Sequence, residues 1–188
     1  QNIGYLSGNY NIGAKVSHNN TSYTLFGGYT IKEYDGVKKK KSEALFFPGY
    51  TINRISTNED ADFNNNQQYA QFKVNNSTKK HNLSAQIFFV RSATPYNDRD
   101  ELLDYRGYDV HSIQSFEKSE DESLKPALSL NGIFYLTETQ QLEVEANGAY
   151  TQNTYSRIYE EGKQHSFTHA NEDLFSFDAQ SQYIFRPN

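Results

Sequence analysis

Cysteine, methionine and tryptophan are absent from the 188 residues, and proline occurs only four times. Without cysteine there is no disulfide framework, no thiolate metal site and no thiol nucleophile, which removes several enzyme classes. No apolar run reaches the length of about 18 residues that a membrane-crossing helix needs. That excludes a transmembrane helix but not a transmembrane barrel, whose strands turn only alternate residues to lipid. Gln1 to Tyr5 form neither a charged n-region nor an apolar h-region, so the sequence reads as a piece or a mature form. A basic excess is missing too: the net charge is -5 and the pI about 5.5. Such a balance excludes an ordinary nucleic-acid binder, whose footprint is basic. No nucleophile elbow and no glycine-rich phosphate loop occurs.

What is abundant is Tyr and Phe, 15 and 13 residues, which favour pleated, half-covered surfaces over helices. Period-2 alternation is the dominant pattern. Tyr10, Ile12, Ala14 and Val16 fall on one face of a strand, with Asn11, Gly13, Lys15 and Ser17 on the other. After the turn signal Asn19-Asn20-Thr21, Tyr23, Leu25, Gly27, Tyr29 and Ile31 continue the pattern. It returns in Ala70-Phe72-Val74, Leu83-Ala85-Ile87-Phe89 and Leu128-Leu130-Gly132-Phe134-Leu136. Leu142-Val144-Ala146-Gly148-Tyr150 and Phe175-Phe177-Ala179-Ser181-Tyr183-Phe185 complete the series.

The predicted fold is therefore all-β: an antiparallel up-and-down meander of about seven long strands in a single domain, 1–188, with no internal boundary. Connections alternate short and long. A few residues near Asn20, Lys79 and Thr139 contrast with about 35 around Lys40, about 30 around Tyr105 and about 18 around His165, an asymmetry typical of transmembrane barrels with short periplasmic turns and long extracellular loops. Each strand alternates for roughly ten residues, which suits a tilted bilayer crossing. Alternation alone does not choose between an apolar row facing lipid and one packed sheet on sheet. Glycine and alanine scattered through the apolar rows favour lipid, as do tyrosines near strand ends. Tyr23, Tyr29, Tyr34, Tyr150, Tyr155 and Tyr183 are candidates for interfacial girdles. An odd number of strands does not close into a bacterial barrel. The expectation is a wall segment of a larger one, starting near the extracellular end of a descending strand and stopping at Arg186-Pro187-Asn188, where a periplasmic turn would fall.

Chemistry-bearing clusters are few. Lys38 to Lys41 is a basic run suited to phosphates or an acidic ligand, and more simply a solvated loop. Asp98, Asp100, Glu101 and Asp104 resemble a calcium cluster but lack the glycine and terminal glutamate of an EF-hand loop. Glu59, Asp60 and Asp62 read the same way, as polar loop. His165 and His169, near Glu172 and Asp173, have a metal-like spacing that works on a helix, whereas this segment reads as loop or strand. Glu143 and Glu145 share a strand face and suggest an acid and base pair, though lumen- or solvent-facing carboxylates explain them more simply. Asn19, Asn20, Asn75, Asn76 and Asn82 begin glycosylation triplets, which asparagine-rich turns account for. No catalytic residue, metal site or cofactor is expected, and the ligand-binding residues are not identified by the sequence.

Several phrases also resemble a known family: Tyr69-Ala-Gln-Phe-Lys-Val, Asn82-Leu-Ser-Ala-Gln, Pro95-Tyr-Asn-Asp, Lys125-Pro-Ala-Leu-Ser-Leu, Tyr150-Thr-Gln-Asn-Thr-Tyr-Ser-Arg-Ile-Tyr and Asn171-Glu-Asp-Leu-Phe-Ser-Phe. Their texture is similar to the barrel region of TonB-dependent outer-membrane receptors of the Bacteroidetes type. That resemblance implies energised uptake of a scarce nutrient through a barrel of about 22 strands closed by a plug. It implies a bacterial outer-membrane location and four kinds of partner: lipid, the rest of the barrel with its plug, TonB through another part of the protein, and a nutrient at the extracellular loops. No plug or TonB box is recognisable here, and no ligand residues carry over. The alternative from another class is a soluble, non-enzymatic β-sandwich for binding or adhesion.

Overall fold

The computed structural model describes residues 4–107 and 110–186. The expected features at Gln1 and at Pro187 and Asn188 lie outside the described residues. Eight strands form one antiparallel sheet: β1 Gly4–His18, β2 Thr21–Asp35, β3 Lys39–Phe47, β4 Tyr50–Ser77, β5 His81–Arg106, β6 His111–Tyr135, β7 Gln140–Glu161 and β8 Gln164–Phe185. The ladder runs β1-β2-β4-β5-β6-β7-β8, and β3 pairs only with β4. The Thr21–Tyr34 stretch of β2 runs along residues 63–76 of β4, and β3 takes residues 50–58 farther along the same edge. β3 is thus the in-line continuation of β2 after a break at Gly36, so the sheet has the seven ladder positions read from the sequence.

The turns explain themselves locally. Asn19 turns β1 into β2 with φ 50°, a left-handed conformation that Asn tolerates better than most residues. Pro48-Gly49 joins β3 to β4, with Gly49 at φ 92°, which suits the third position of a type II turn after a proline. Between β4 and β5 the Thr78 hydroxyl accepts hydrogen bonds from the amides of Lys80 and His81.

The long connections do not stay loops. The intervals around Lys40, Tyr105 and His165 are mostly strand, closed by tight turns such as Gly162-Lys163. Their residues are mostly polar, and the apolar ones fall on both faces (Ile55 and Leu102 on the front, Leu103 and Ile113 on the back), so they lack alternation, yet they inherit a ladder from the neighbouring strand. β4 reaches 28 residues, roughly 90 Å at about 3.3 Å per residue. Bulges fall between Asn58 and Asp60, Asn64 and Asn66, and Thr94 and Asn97.

Register lines the apolar residues up into one belt. Val16, Tyr23, Val74, Ala85, Leu130, Ala146 and Ala179 form one cross-strand row, and Ala14, Leu25, Phe72, Ile87, Leu128, Gly148 and Phe177 the next. Toward the long-strand end the same face turns polar at Gln68, Arg91, Gln152 and Asp173, again nearly one row. This front face is apolar beside the short turns near Asn20, Lys79 and Thr139, and polar beyond. The back face is mostly polar, with apolar exceptions such as Phe26, Phe63, Phe88, Val90, Leu103 and Ile133.

No second layer covers the belt. Strands contact only their ladder neighbours, and β1 and β8 stay unpaired with each other among the described residues. The buried residues are few, and they sit in the polar half: Ser56, Asn58, Ala61, Ala93, Thr94, Leu103, Ser115 and Ser119. Belt residues stand open, Ile12 at 80% and Phe175 at 71% exposure.

Candidate functional site

Three surfaces carry chemistry: the belt, a back-face polar network, and an acidic cluster on the front face beyond the belt. Tyr10 and Tyr29 pair directly at the far rim of the belt, and Tyr150 lies one row below. Tyr23 and Tyr183 share the same face nearer the short turns. Tyr34 and Tyr155 do not belong to this girdle, because strand parity turns both to the back face. Tyr34 stacks there on Phe63, with centroids 5.0 Å apart.

Two back-face glycines make room for aromatic rings lying across the sheet. Phe26 lies over Gly13, and Tyr69 over Gly28, where its hydroxyl donates to Asn11 Oδ1. Within the belt region Glu145 accepts from Asn147 at 2.9 Å and Gln180 at 2.7 Å, and Glu143 from Gln141 at 2.6 Å. The two carboxylates expected as a possible acid and base pair are thus neighbours on the back face, each held by amides.

Beyond the belt, the back face carries a charged network across five strands. Lys41 and Arg54 both pair with Glu43, and Arg54 also reaches Tyr105. Tyr105 donates to Glu161 at 2.9 Å and Tyr159 donates to its other oxygen at 2.6 Å. Arg157 closes the far side by pairing with Glu117 at 2.7 Å. The hydrogen bonds from Lys41 and Arg54 hold the Glu43 carboxyl below the usual range. Burial, then the bond to Glu161, pushes the Tyr105 phenol up.

On the front face the acidic residues cluster. Asp35, Asp60 and Asp62 bring one carboxylate oxygen each to within 4.8 Å of one another. Asp62 faces Asp98, and Asp60 faces Asp100, in direct register. Asp62 also accepts the Gly36 amide at 3.1 Å. The Asp35 carboxyl is raised by its hydrogen bond with Asp62 and by that neighbour's charge, and Asp98 chiefly by burial. Asp98 Oδ1 has no hydrogen-bond partner.

The sequence-flagged groups are redistributed by strand parity. Asp98, Asp100 and Asp104 lie on one face of β5 and Glu101 on the other, so they do not form one cluster, and they are strand rather than loop. Asp60 and Asp62 lie in β4, and their meeting with Asp35 had no sequence signal, since it depends on register over 25 residues. The lysine run splits likewise: Lys39 and Lys41 stand on the back face, Lys40 on the front. His165 and His169 share a face of β8, about 13 Å apart at the strand rise, so they cannot share one ion. His165 instead lies 3.3 Å from Glu160, and His169 meets Asn171 at 3.2 Å. Asn76, one of the sequon asparagines, donates to Thr21 at 2.7 Å and meets His81 at 2.6 Å, which ties two turns together. Neither a protein-family model nor any curated protein matches the chain.

Proposed function

We propose that the chain is wall of an outer-membrane β-barrel, in a non-enzymatic receptor that takes up a nutrient. The observation that carries this reading is the belt: one continuous apolar face across seven strands, beside the short turns, with no protein layer over it. In β7 it spans Leu142 to Tyr150 and in β8 Phe175 to Phe185, close to the 9–11 residues that a tilted crossing takes. Ile12, Leu25, Ile87, Phe175 and Phe177 alone would forgo about 10 kcal/mol if left in water, at roughly 2 kcal/mol each. That is comparable with the whole net stability of a domain. Lipid removes the cost. The long polar strands then project outside the membrane, and their back face continues the lumen wall as a surface for ligand.

These 188 residues contain no cysteine, so each introduced one is the only thiol in this wall. Single cysteines are placed at Val144, Ala146 and Gly148 on the front face, and at Glu143, Glu145 and Asn147 on the back. In outer membranes the front set is expected to resist a water-soluble maleimide, and to be quenched by nitroxide lipids when carrying a fluorophore. The back set should react with the reagent. If the front set reacts equally in intact membranes, or if the protein is soluble without detergent, the membrane reading fails and a soluble binding module takes its place. Energised uptake of the TonB type is supported by the resemblance of the strand phrases. It predicts that cells lacking the protein grow poorly on one scarce nutrient, and that dissipating the proton gradient stops uptake.

A further inference from the structure

The belt is hollowed beside the β4–β5 turn. A groove of about 650 Å³ runs over Ala85, Gly132 and Ala146, with Leu83, Leu130 and Phe134 rising beside it. Gly132 keeps it narrow at one point: a Cβ there would stand 3.1 Å from the Phe134 ring and 3.2 Å from Leu83. A second hollow of about 430 Å³ shares Leu130 and Ala146 with the first and continues to Tyr150 and Phe175. Val144 to Tyr150 is six strand steps, about 20 Å, against about 15 Å for the hydrocarbon of one leaflet. The groove lies in the middle of the sheet rather than at an edge, so another strand finds no ladder to join there.

Charge supplies a second observation, independent of shape. Among the described residues of the short turns and just after β8, Lys79, Lys80 and Arg186 stand against Glu138 alone, in a chain whose net charge is -5. Lys79 and Lys80 are exposed, and neither belongs to an ion pair among the described residues. The other end of the same face carries Asp35, Asp60, Asp62, Asp98 and Asp100, so the front face is polarised along its strands. Asn76 lines the groove at its turn end, tied to Thr21 and His81.

We infer that the groove holds one acyl chain of an anionic phospholipid, in the leaflet that the short turns meet, with the lipid phosphate at Lys79 and Lys80. Lysines at a membrane surface lay their stems along apolar atoms and present the ammonium to anionic headgroups. A zwitterionic lipid would fill the groove but gain no net attraction from the lysines, and a soluble anion would meet the lysines but leave the groove open. The inference rests on the membrane reading of the belt and names a partner for it.

The full protein in detergent is titrated with phosphatidylglycerol and phosphatidylcholine of identical chains, and the lipids retained are counted by native mass spectrometry. Phosphatidylglycerol is expected to saturate at one tightly held molecule per chain, and phosphatidylcholine to bind roughly tenfold more weakly or worse. Lys79→Gln with Lys80→Gln should remove that preference, each lysine near an anionic lipid counting for about fivefold. Lys40→Gln with Lys163→Gln, the same charge change at the far end, should leave it intact. Ala146→Phe, which fills the groove, is expected to weaken both lipids, whereas Ala14→Phe, on the belt outside it, is not. Circular dichroism reports whether the phenylalanine variants are folded, and the two lysine pairs decide alone if either is not. Equal binding of the two lipids, or equal losses from the two lysine pairs, would overturn the assignment. If the belt cysteines are shielded in membranes and no lipid preference is found, this inference fails alone; if they react freely, the membrane reading fails and takes it along.

Discussion

Gly28 has an ordinary strand backbone, so its reason for being glycine is space. A Cβ there would stand 2.5 Å from the end of the Tyr69 ring and would overlap Asn11. The ring lies over the bare backbone, and aromatic cover of a strand glycine stabilises that weak point in a ladder. Its hydroxyl bond to Asn11 on β1 ties three strands together. Tyr69→Phe is expected to cost about 1 kcal/mol in urea unfolding, a typical net hydrogen bond. In a Gly28→Val background, where the ring is already displaced, the same change should cost close to nothing. Equal costs in the two backgrounds would show that glycine does not position the ring. Nothing in the periodicity marks this pair, because Gly28 and Tyr69 are 41 positions apart and meet only through the β2–β4 register.

The strands divide into two regimes, and the division decides how they respond to pH. In the polar half, Glu43 has a lowered pKa through its bonds to Lys41 and Arg54. Its contribution is present above the ordinary carboxylate range and is lost as pH falls through the lowered value. Asp35 and Asp98 are raised, by Asp62 and by burial respectively. Their ionised forms are disfavoured in the fold, so they oppose stability at neutral pH and cease to do so as acid protonates them. Mild acidification from neutrality is therefore expected to slow amide exchange of β2, β4 and β5 around Asp62, after correction for intrinsic rates. Stronger acid should then release β3 from β4. Arg54→Gln should weaken the second step and spare the first; a β3 release at the same pH in that variant would refute the link. The same two regimes decide what was legible in the sequence. Belt strands alternate because one face must be apolar, so Leu142 to Tyr150 could be read directly. Farther along, both faces are mostly polar with apolar residues scattered on each, and the bulges at Glu59 and near Thr94 shift the phase. Ten or more residues of strand around Lys40, Tyr105 and His165 thus look like loop. The acidic cluster was half visible: Asp60 and Asp62 stood out as a group, but Asp35 has no local signal and reaches them only through cross-strand register.

At the scale of the whole molecule, accessible area and edge geometry give one answer. The chain exposes 13019 Å², against about 9,200 Å² for a compact monomer of this mass by the usual size scaling. The excess is a sheet with two wet faces, which a soluble domain avoids by folding a second layer over the first. Nor does self-closure remove it. β1 and β8 are the first and last of seven ladder positions, six antiparallel steps apart, so the two edge strands run in the same direction. Joining them would need parallel pairing, which the antiparallel barrels of bacterial outer membranes do not use. Laid flat, six strand spacings of about 4.8 Å put the edges roughly 29 Å apart. The outer edges of β1 and β8 are thus left open to pairing with further strands. Ser17 and Gln180 lie in the same cross-strand row at the two edges, through Ser22, Asn75, Ser84, Asn131 and Glu145. A Ser17→Cys, Gln180→Cys variant of the 188-residue chain, refolded in detergent, is expected to form no disulfide within one chain under mild oxidation. Any cross-link should instead join separate chains and appear as a species of twice the mass. A quantitative intrachain bond would mean that the two edges meet, and that this sheet closes by itself after all.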